Sequence, residues 1–549
     1  MLKRRGIVLN ALFLAAGVLS GCGSADLGVP KAGTGDQSQS VAGGGNGALP
    51  AAAAAQATGP AVPKARCGPR DRVETGLQGQ ITVAERVSGA SEQAYNCNLE
   101  LVGQFEGEGT SWQLAWSDQC AYYDTANNPL QQHLGTVVID ASDPSHPQAT
   151  SYLDAPGMLD PWEGLKVNSR RKLLAGIRNG GPAFSIFDVS GDCRHPVLLA
   201  NLDLPGTMGH AGGFAPDGRT YYASQSFRGK GGIMPIIDVS DPSNPKNLLT
   251  WKFPGDGRPH DPSFNEDGTR LYSPQPGLFG NTGSSIGPNG LVVLDTSDIQ
   301  YRRPDPQITV VSTLFWVDGG QSQMTQFVRI KGKPYLIFTD ELGAGGLVGG
   351  AAGACARNLP PWGFARIIDI SDELNPRIIS KLMLEVHDPA NCPLTLPDLP
   401  FMPSFFGYDS HYCKVDDPKN AKLLACSYFG AGVRVFDIRD PYNPKEIAYY
   451  KPPARRTAFK PGSQLAARVP DRTNDWASSN IRFVRHEGDL QLWFTSHDNG
   501  FQAMRARHRK FRCRSLRPPV SARVFAAAGP RRPLRSSQRV ARSRDALSG

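Results

Sequence analysis

The sequence predicts an all-β protein, a β-propeller of seven blades with four antiparallel strands each, six or eight blades being the alternatives. Three observations predict it. A short phrase recurs six times: "TVVIDASDPSHP", "FSIFDVSGDCRHP", "MPIIDVSDPSNP", "LVVLDTSDIQ", "ARIIDISDELNP" and "VRVFDIRDPYNP". Its Asp residues, Asp140, Asp188, Asp238, Asp295, Asp369 and Asp437, stand 48 to 74 residues apart. A period of this size marks stacked supersecondary units. Helix signals are nearly absent, because Gly or Pro interrupts the chain every few residues and no 3.6-residue period is sustained.

Each copy opens on an apolar, β-branched run such as Ile236-Ile237 or Ile367-Ile368. Asp follows, and its side chain can accept from its own backbone two residues on. Pro then fixes φ and supplies no N–H, so the strand must stop. Between copies lies a hairpin pattern, clearest in "GHAGGFAPDGRTYYAS" and "PHDPSFNEDGTRLYSP", where Asp-Gly turns join two strands. Looser versions are "FVRIKGKPYLIFTDELG", "HYCKVDDPKNAKLLACSYFG" and "FVRHEGDLQLWFTSHDNG". The unit is therefore four strands. One such sheet cannot bury both faces, but stacking around an axis buries them and leaves only short edges. Asn499-Gly500-Phe501 begins a seventh copy, and the N-terminal segment is expected to complete that last blade and close the ring.

The phrase resembles the LVIVP-repeat family of bacterial β-propeller lipoproteins over roughly residues 95 to 505. The resemblance implies the fold and leaves the chemistry open.

The ends differ in character from the body. Residues 1–21 read as a lipoprotein-type signal peptide. Lys3, Arg4 and Arg5 precede a short apolar run, and Leu19-Ser20-Gly21-Cys22 resembles a lipobox, which makes Cys22 the lipidation site. The Lys3–Val8 stretch also resembles a twin-arginine export signal. Residues 22–65, rich in Gly and Ala, read as a disordered tether. The propeller is expected over 66–504, and 505–549 as a disordered Arg-rich tail, read as out of frame from near Ala503. The whole chain carries 59 basic and 50 acidic residues. The tail holds 14 of the basic ones and a single acid, leaving the body slightly acidic. A nucleic-acid-binding face is therefore excluded. The expected location is the bacterial cell envelope, lipid-anchored on the periplasmic face or the cell surface.

Of ten Cys, Cys22 goes to lipid and Cys513 lies in the tail. The remaining eight suit disulfides in an exported protein. Cys413 with Cys426, across one hairpin, is the foremost candidate. Cys355 with Cys392 would close a long insertion, and Cys67, Cys97, Cys120 and Cys193 remain unassigned among themselves.

Three longer spacings hold insertions at 274–289, 341–362 and 386–408. Phe401, Met402, Phe405 and Phe406 in the third are candidates for an exposed apolar patch. The alternative is that they pack over a blade.

Candidate chemistry lies just ahead of the innermost strands. His210, His260 and His411 each stand four residues before a matching strand position, and aligning the blades places Trp112, Glu163, Met324 and Asn480 there too. If that position faces the channel, three imidazoles, a carboxylate and a thioether share a ring. Imidazole suits copper, zinc or iron, and the thioether favours copper. His387, His486 and His497 read as solvent-facing. No P-loop, dinucleotide fingerprint or HExxH motif occurs.

The leading function on this reading is a lipid-anchored, extracytoplasmic protein-binding or scaffolding module with an unidentified protein partner. The alternative is a metal-dependent, copper-type oxidoreductase with its His site at the channel mouth, analogous in fold and residue type to the seven-bladed selenium-binding and methanethiol oxidase proteins.

Overall fold

The computed structural model describes residues 59–126, 131–225, 232–253, 257–276, 289–402, 406–468 and 472–507. Cys22, Phe405, Cys513 and the tail from residue 508 lie outside the described residues.

The described residues form seven four-stranded antiparallel blades in a ring. Blade one is Leu114–Ser117, Cys120–Asp124, Thr136–Asp140 and Gln148–Leu153. Blades two to five follow in chain order over 166–203, 211–252, 263–315 and 320–382. Blade six takes Cys413–Val415, Leu423–Tyr428, Gly432–Asp437 and Lys445–Lys451, then adds Tyr95–Cys97 as a fifth, outer strand. Blade seven has Arg482–His486, Asp489–Ser496 and Gly500–Ala506 from the C-terminal side and Leu99–Phe105 from the N-terminal side. Strands from the N-terminal and C-terminal sides of the propeller thus close the ring on one sheet, as expected. The last strand reaches Ala506, two residues past the expected end of the propeller, with Arg505 and Ala506 opposite Glu100 and Leu99.

All six repeat Asp residues end the third strand of a blade. Each accepts from the backbone N–H two residues on: Ser142, Ser190, Ser240, Ser297, Ser371 and Arg439 donate over 2.7–3.3 Å. The Asp-Gly hairpins form where predicted, with Gly218 and Gly268 at φ of +71° and +77°, where a side chain would strain the turn. Every blade also carries a register shift between its third and fourth strands, for instance at Val138/Ile139 and Ile236/Ile237. Such bulges add the twist a radial sheet needs.

Apolar packing follows the ring. A separate buried cluster fills each of the seven gaps between neighbouring blades. The closing gap joins Trp493, Phe501 and Ala503 of blade seven to Leu114, Ala121 and Tyr123 of blade one. Disulfides tie Cys67 to Cys97, Cys120 to Cys193, Cys355 to Cys392 and Cys413 to Cys426. Four such bonds indicate an oxidising, extracytoplasmic environment. No helix among the described residues is long and apolar enough to cross a membrane.

Three expectations are corrected. Residues 59–65, which composition assigns to the tether, pack on the propeller. Val62 is buried and donates to the Met383 carbonyl, and Ala65 donates to Glu446. Phe406 is buried, not part of an exposed patch, because it stacks on Phe429 and meets Trp112 and Trp476. His387 and His497 do not face solvent. His387 spans the Leu384 N–H and the Tyr408 carbonyl, and His497 lies against Ser478 and the Trp112 ring.

Candidate metal centre at the propeller hub

The segment leading into each inner strand brings one residue to the hub. Adjacent leads pair in parallel, Glu163 beside Ala211 and Asp261 beside Met324. The structure brings His210, His260 and His411 together around Glu163. His210 Nε2 lies 3.0 Å and His260 Nε2 3.3 Å from Glu163 Oε2, and His411 Nε2 lies 2.8 Å from Oε1. All four residues are buried. Trp162, directly before Glu163, has a φ of +53°, a strained conformation for a bulky residue that turns the chain just ahead of the carboxylate.

Groups behind the imidazoles fix their orientation. His210 Nδ1 meets Asn179 Oδ1 at 3.1 Å and His411 Nδ1 meets the Ser478 carbonyl at 2.6 Å. Both partners are oxygen acceptors, so each Nδ1 carries the proton and each Nε2 is turned to the hub.

Met324 does not join this ring. A register shift between Ser322 and Met324 moves the alternation by one residue. Met324 packs into the apolar cluster between blades five and six. Gln323 takes the hub position, donating to Glu163 Oε1 over 2.7 Å and lying 2.9 Å from His411 Nε2. Asn480 donates to Gln113 Oε1 over 2.6 Å, and Trp112 lies 5.4 Å from the His411 ring.

Sequence reasoning missed Glu341. It comes from the second strand of blade five, Lys333–Leu342, and places Oε2 3.3 Å from His411 Nε2. The only signal was an acidic pair, Asp340-Glu341, closing the strongly apolar run "YLIF".

Trp112, Phe406, Phe429, Trp476, Leu342 and Leu465 pack together beside the cluster, with Phe429 5.1 Å from the His411 ring. One residue further along the inner strands the surroundings are polar. Asp261 accepts from Lys166 over 2.6 Å and from the Tyr412 hydroxyl over 2.7 Å.

The electrostatics follow from burial and contact. Burial pushes the His260 imidazole down to about 3, with Glu163 only partly opposing it. Burial also lowers His411, but hydrogen bonds to Glu163 and Glu341 outweigh it and raise the ring to about 9. Burial would raise Glu163, yet the His260 and His210 imidazoles hold it well below the usual carboxylate range. Glu341 is raised, chiefly by burial.

The donor set fits a first-row transition ion. Bonds of about 2.0–2.1 Å to imidazole nitrogen and carboxylate oxygen imply donor-to-donor edges of roughly 3.0–3.4 Å, and the observed 3.0 and 3.3 Å separations match. Imidazole with carboxylate suits zinc, iron, manganese or copper(II). With Met324 in the core, the thioether argument for copper specifically falls away.

An LVIVD-repeat family model matches residues 132–154 and 230–250. The final Asp of that phrase corresponds to Asp140 and Asp238, the turn residues described above. No curated protein matches the chain. Among solved structures, the periplasmic gluconolactonase PpgL of Pseudomonas aeruginosa is 13% identical over 76% of this chain and 100% of its own, with a TM-score of 0.41. A candidate 6-phosphogluconolactonase from Bacteroides uniformis is 11% identical over 70% of this chain and 94% of its own, with a TM-score of 0.42. Another from Bacteroides fragilis is 11% identical over 70% and 92%, with a TM-score of 0.41.

Proposed function

Because this chain is an LVIVD-repeat β-propeller with three imidazoles and a carboxylate converging at its hub, we propose that it is an extracytoplasmic metal-dependent enzyme. Glu163, His210 and His260 would hold a first-row transition ion, with His411 on the other oxygen of Glu163. The observation that carries this reading is the orientation of the rings. Acceptors on Nδ1 of His210 and His411 aim both Nε2 atoms at one carboxylate.

A bound ion there would supply Lewis-acid or redox chemistry toward water or dioxygen. The chain's own residues do the remaining work. Gln323 orients the Glu163 carboxylate through its 2.7 Å hydrogen bond. The Trp112, Phe429 and Trp476 rings exclude water from one side. Asp261, paired with Lys166 and Tyr412, makes the surroundings polar on the other.

The scaffolding alternative draws less support, because Phe406 of the loop it would display is packed inward. A lipid on Cys22 belongs to the same proposal. Palmitate labelling of the expressed protein, lost in Cys22→Ala, tests it.

The central test is elemental analysis of full-length protein purified from the envelope. About one or more equivalents of a first-row metal per chain are expected, lost in Glu163→Gln and in the His210→Ala, His260→Ala double variant while the far-ultraviolet spectrum is kept. Protein that folds normally and retains none of manganese, iron, cobalt, copper or zinc after dialysis against each would overturn the reading.

A further inference from the structure

We infer that the hub is built for two metal ions bridged by Glu163, the second held by His411 and Glu341. This rests on the metal-dependent reading above and extends it. The two oxygens of Glu163 serve different partners. Oε2 faces His210 and His260, while Oε1 faces His411, which in turn lies against Glu341.

At the hub, the donors close to within 4.8 Å as two triads. One is Glu163 with His210 and His260, and the other is Glu163 with Glu341 and His411. Glu163 is the member they share. A carboxylate presenting one oxygen to each triad is the arrangement that links paired ions about 3.5–4 Å apart.

The second triad has its own supporting shell. His411 is fixed by the Ser478 carbonyl on Nδ1, and Glu341 accepts from Gln321 Nε2. Both carboxylates are buried, where negative charge is stable only beside cationic partners. Two divalent ions would balance Glu163 and Glu341 together, whereas one ion at His210 and His260 leaves Glu341 outside its reach. The fold explains the division. Glu163, His210 and His260 enter from the leads of three consecutive blades. Glu341 arrives from the second strand of blade five, next to the lead of blade six.

Manganese(II) alone is the probe, added to full-length protein stripped of metal. The expected result is about two ions per chain with an exchange-coupled electron paramagnetic resonance signal. Glu341→Gln, which keeps the shape of the side chain, should halve the count and leave the six-line spectrum of an isolated ion. His260→Ala should halve it from the other side. Saturation of the wild type at a single ion with a six-line spectrum, unchanged in Glu341→Gln, would overturn the two-ion inference and leave the proposed function standing. Failure to bind manganese, iron, cobalt, copper or zinc would overturn both.

Discussion

Arg434 lies in the third strand of blade six with no solvent exposure, and its guanidinium engages the N-terminal segment. It forks onto Glu74 at 2.8 and 3.2 Å, reaches Glu446 at 2.9 Å and sits over the Tyr449 ring. Lys451 adds a contact to Glu74 at 3.2 Å. This network holds the segment that leads into the fifth strand of blade six and the closing strand of blade seven. Arg434→Met would leave Lys451 as the one cation beside these two carboxylates. Removing one partner of a buried ion pair costs about 3–5 kcal/mol. The titration of Glu74 gives an independent figure. Burial would raise this carboxyl, but Arg434 and then Lys451 hold it at about 2, against the ordinary 4.5. That difference corresponds to on the order of 3 kcal/mol. The folded-state value is depressed, so this stability is present above pH 4.5 and is lost as pH falls toward 2. Urea denaturation followed by tryptophan fluorescence at pH 7, 4 and 2.5 reads both quantities. Arg434→Met should lose about 3 kcal/mol or more at pH 7 and show a shallower loss on acidification. A variant within about 0.5 kcal/mol of wild type at pH 7, with the same acid slope, would refute the reasoning.

Removing the Cys120–Cys193 disulfide, which closes a separation of 73 residues between blades one and two, should cost about 4 kcal/mol by loop entropy, against about 3 kcal/mol for Cys413–Cys426 with its separation of 13. Paired Cys→Ser variants compared by denaturant titration check that order. Burial and the neighbouring Asp475 hold Asp498 up at about 7. The folded state therefore binds the extra proton between about pH 4 and 7, and stability from this group falls as pH rises through that window. Asp498→Asn should be more stable than wild type at pH 8 by on the order of 2 kcal/mol and show a flatter pH profile between 4 and 8. Phe406→Ala should cost about 3 kcal/mol or more in thermal or urea unfolding because it empties a packed aromatic cluster, whereas a surface patch would give a change near zero.

The strand-ending Asp residues made the ring legible, because each needs only its local turn to be read. His210 and His260 were legible for the same reason, since each precedes an Asp-Gly hairpin of nearly identical wording. Glu163 was placed by counting back from a weaker turn, and the count held because no bulge intervenes. It failed at blade five, where the register shift at Ser322/Met324 exchanged Met324 for Gln323. A bulge adds one residue without any fixed composition, so spacing alone carries no trace of it. Glu341 was hidden differently. It reaches the hub from a second strand, and no period relates it to the leads. His497 and His387 look like turn residues in sequence, yet aromatic rings from their own and neighbouring blades cover them, and such contacts have no local signature.

The composition of the hub argues for a role beyond holding the ring together. The seven gaps between blades are filled with apolar side chains, so this chain closes its packing where packing is the task. At the axis it instead places Glu163, His210, His260, Gln323, His411 and Asn480, with Trp112 as the apolar member of the ring. Burying ionisable groups costs several kcal/mol each unless every one is well partnered, and apolar replacements of similar volume are often neutral or stabilising. A purely structural polar cluster would spread its hydrogen bonds over many acceptors. Here three Nε2 atoms converge on one carboxylate, whose Oε1 also accepts from Gln323. Behind them, Asn179 and Ser478 fix the Nδ1 atoms of His210 and His411, setting ring orientation at the expense of alternatives. Donors aimed inward at one small volume, locked from outside and shielded by aromatic rings, meet the requirements of a ligand sphere and exceed those of a packed core.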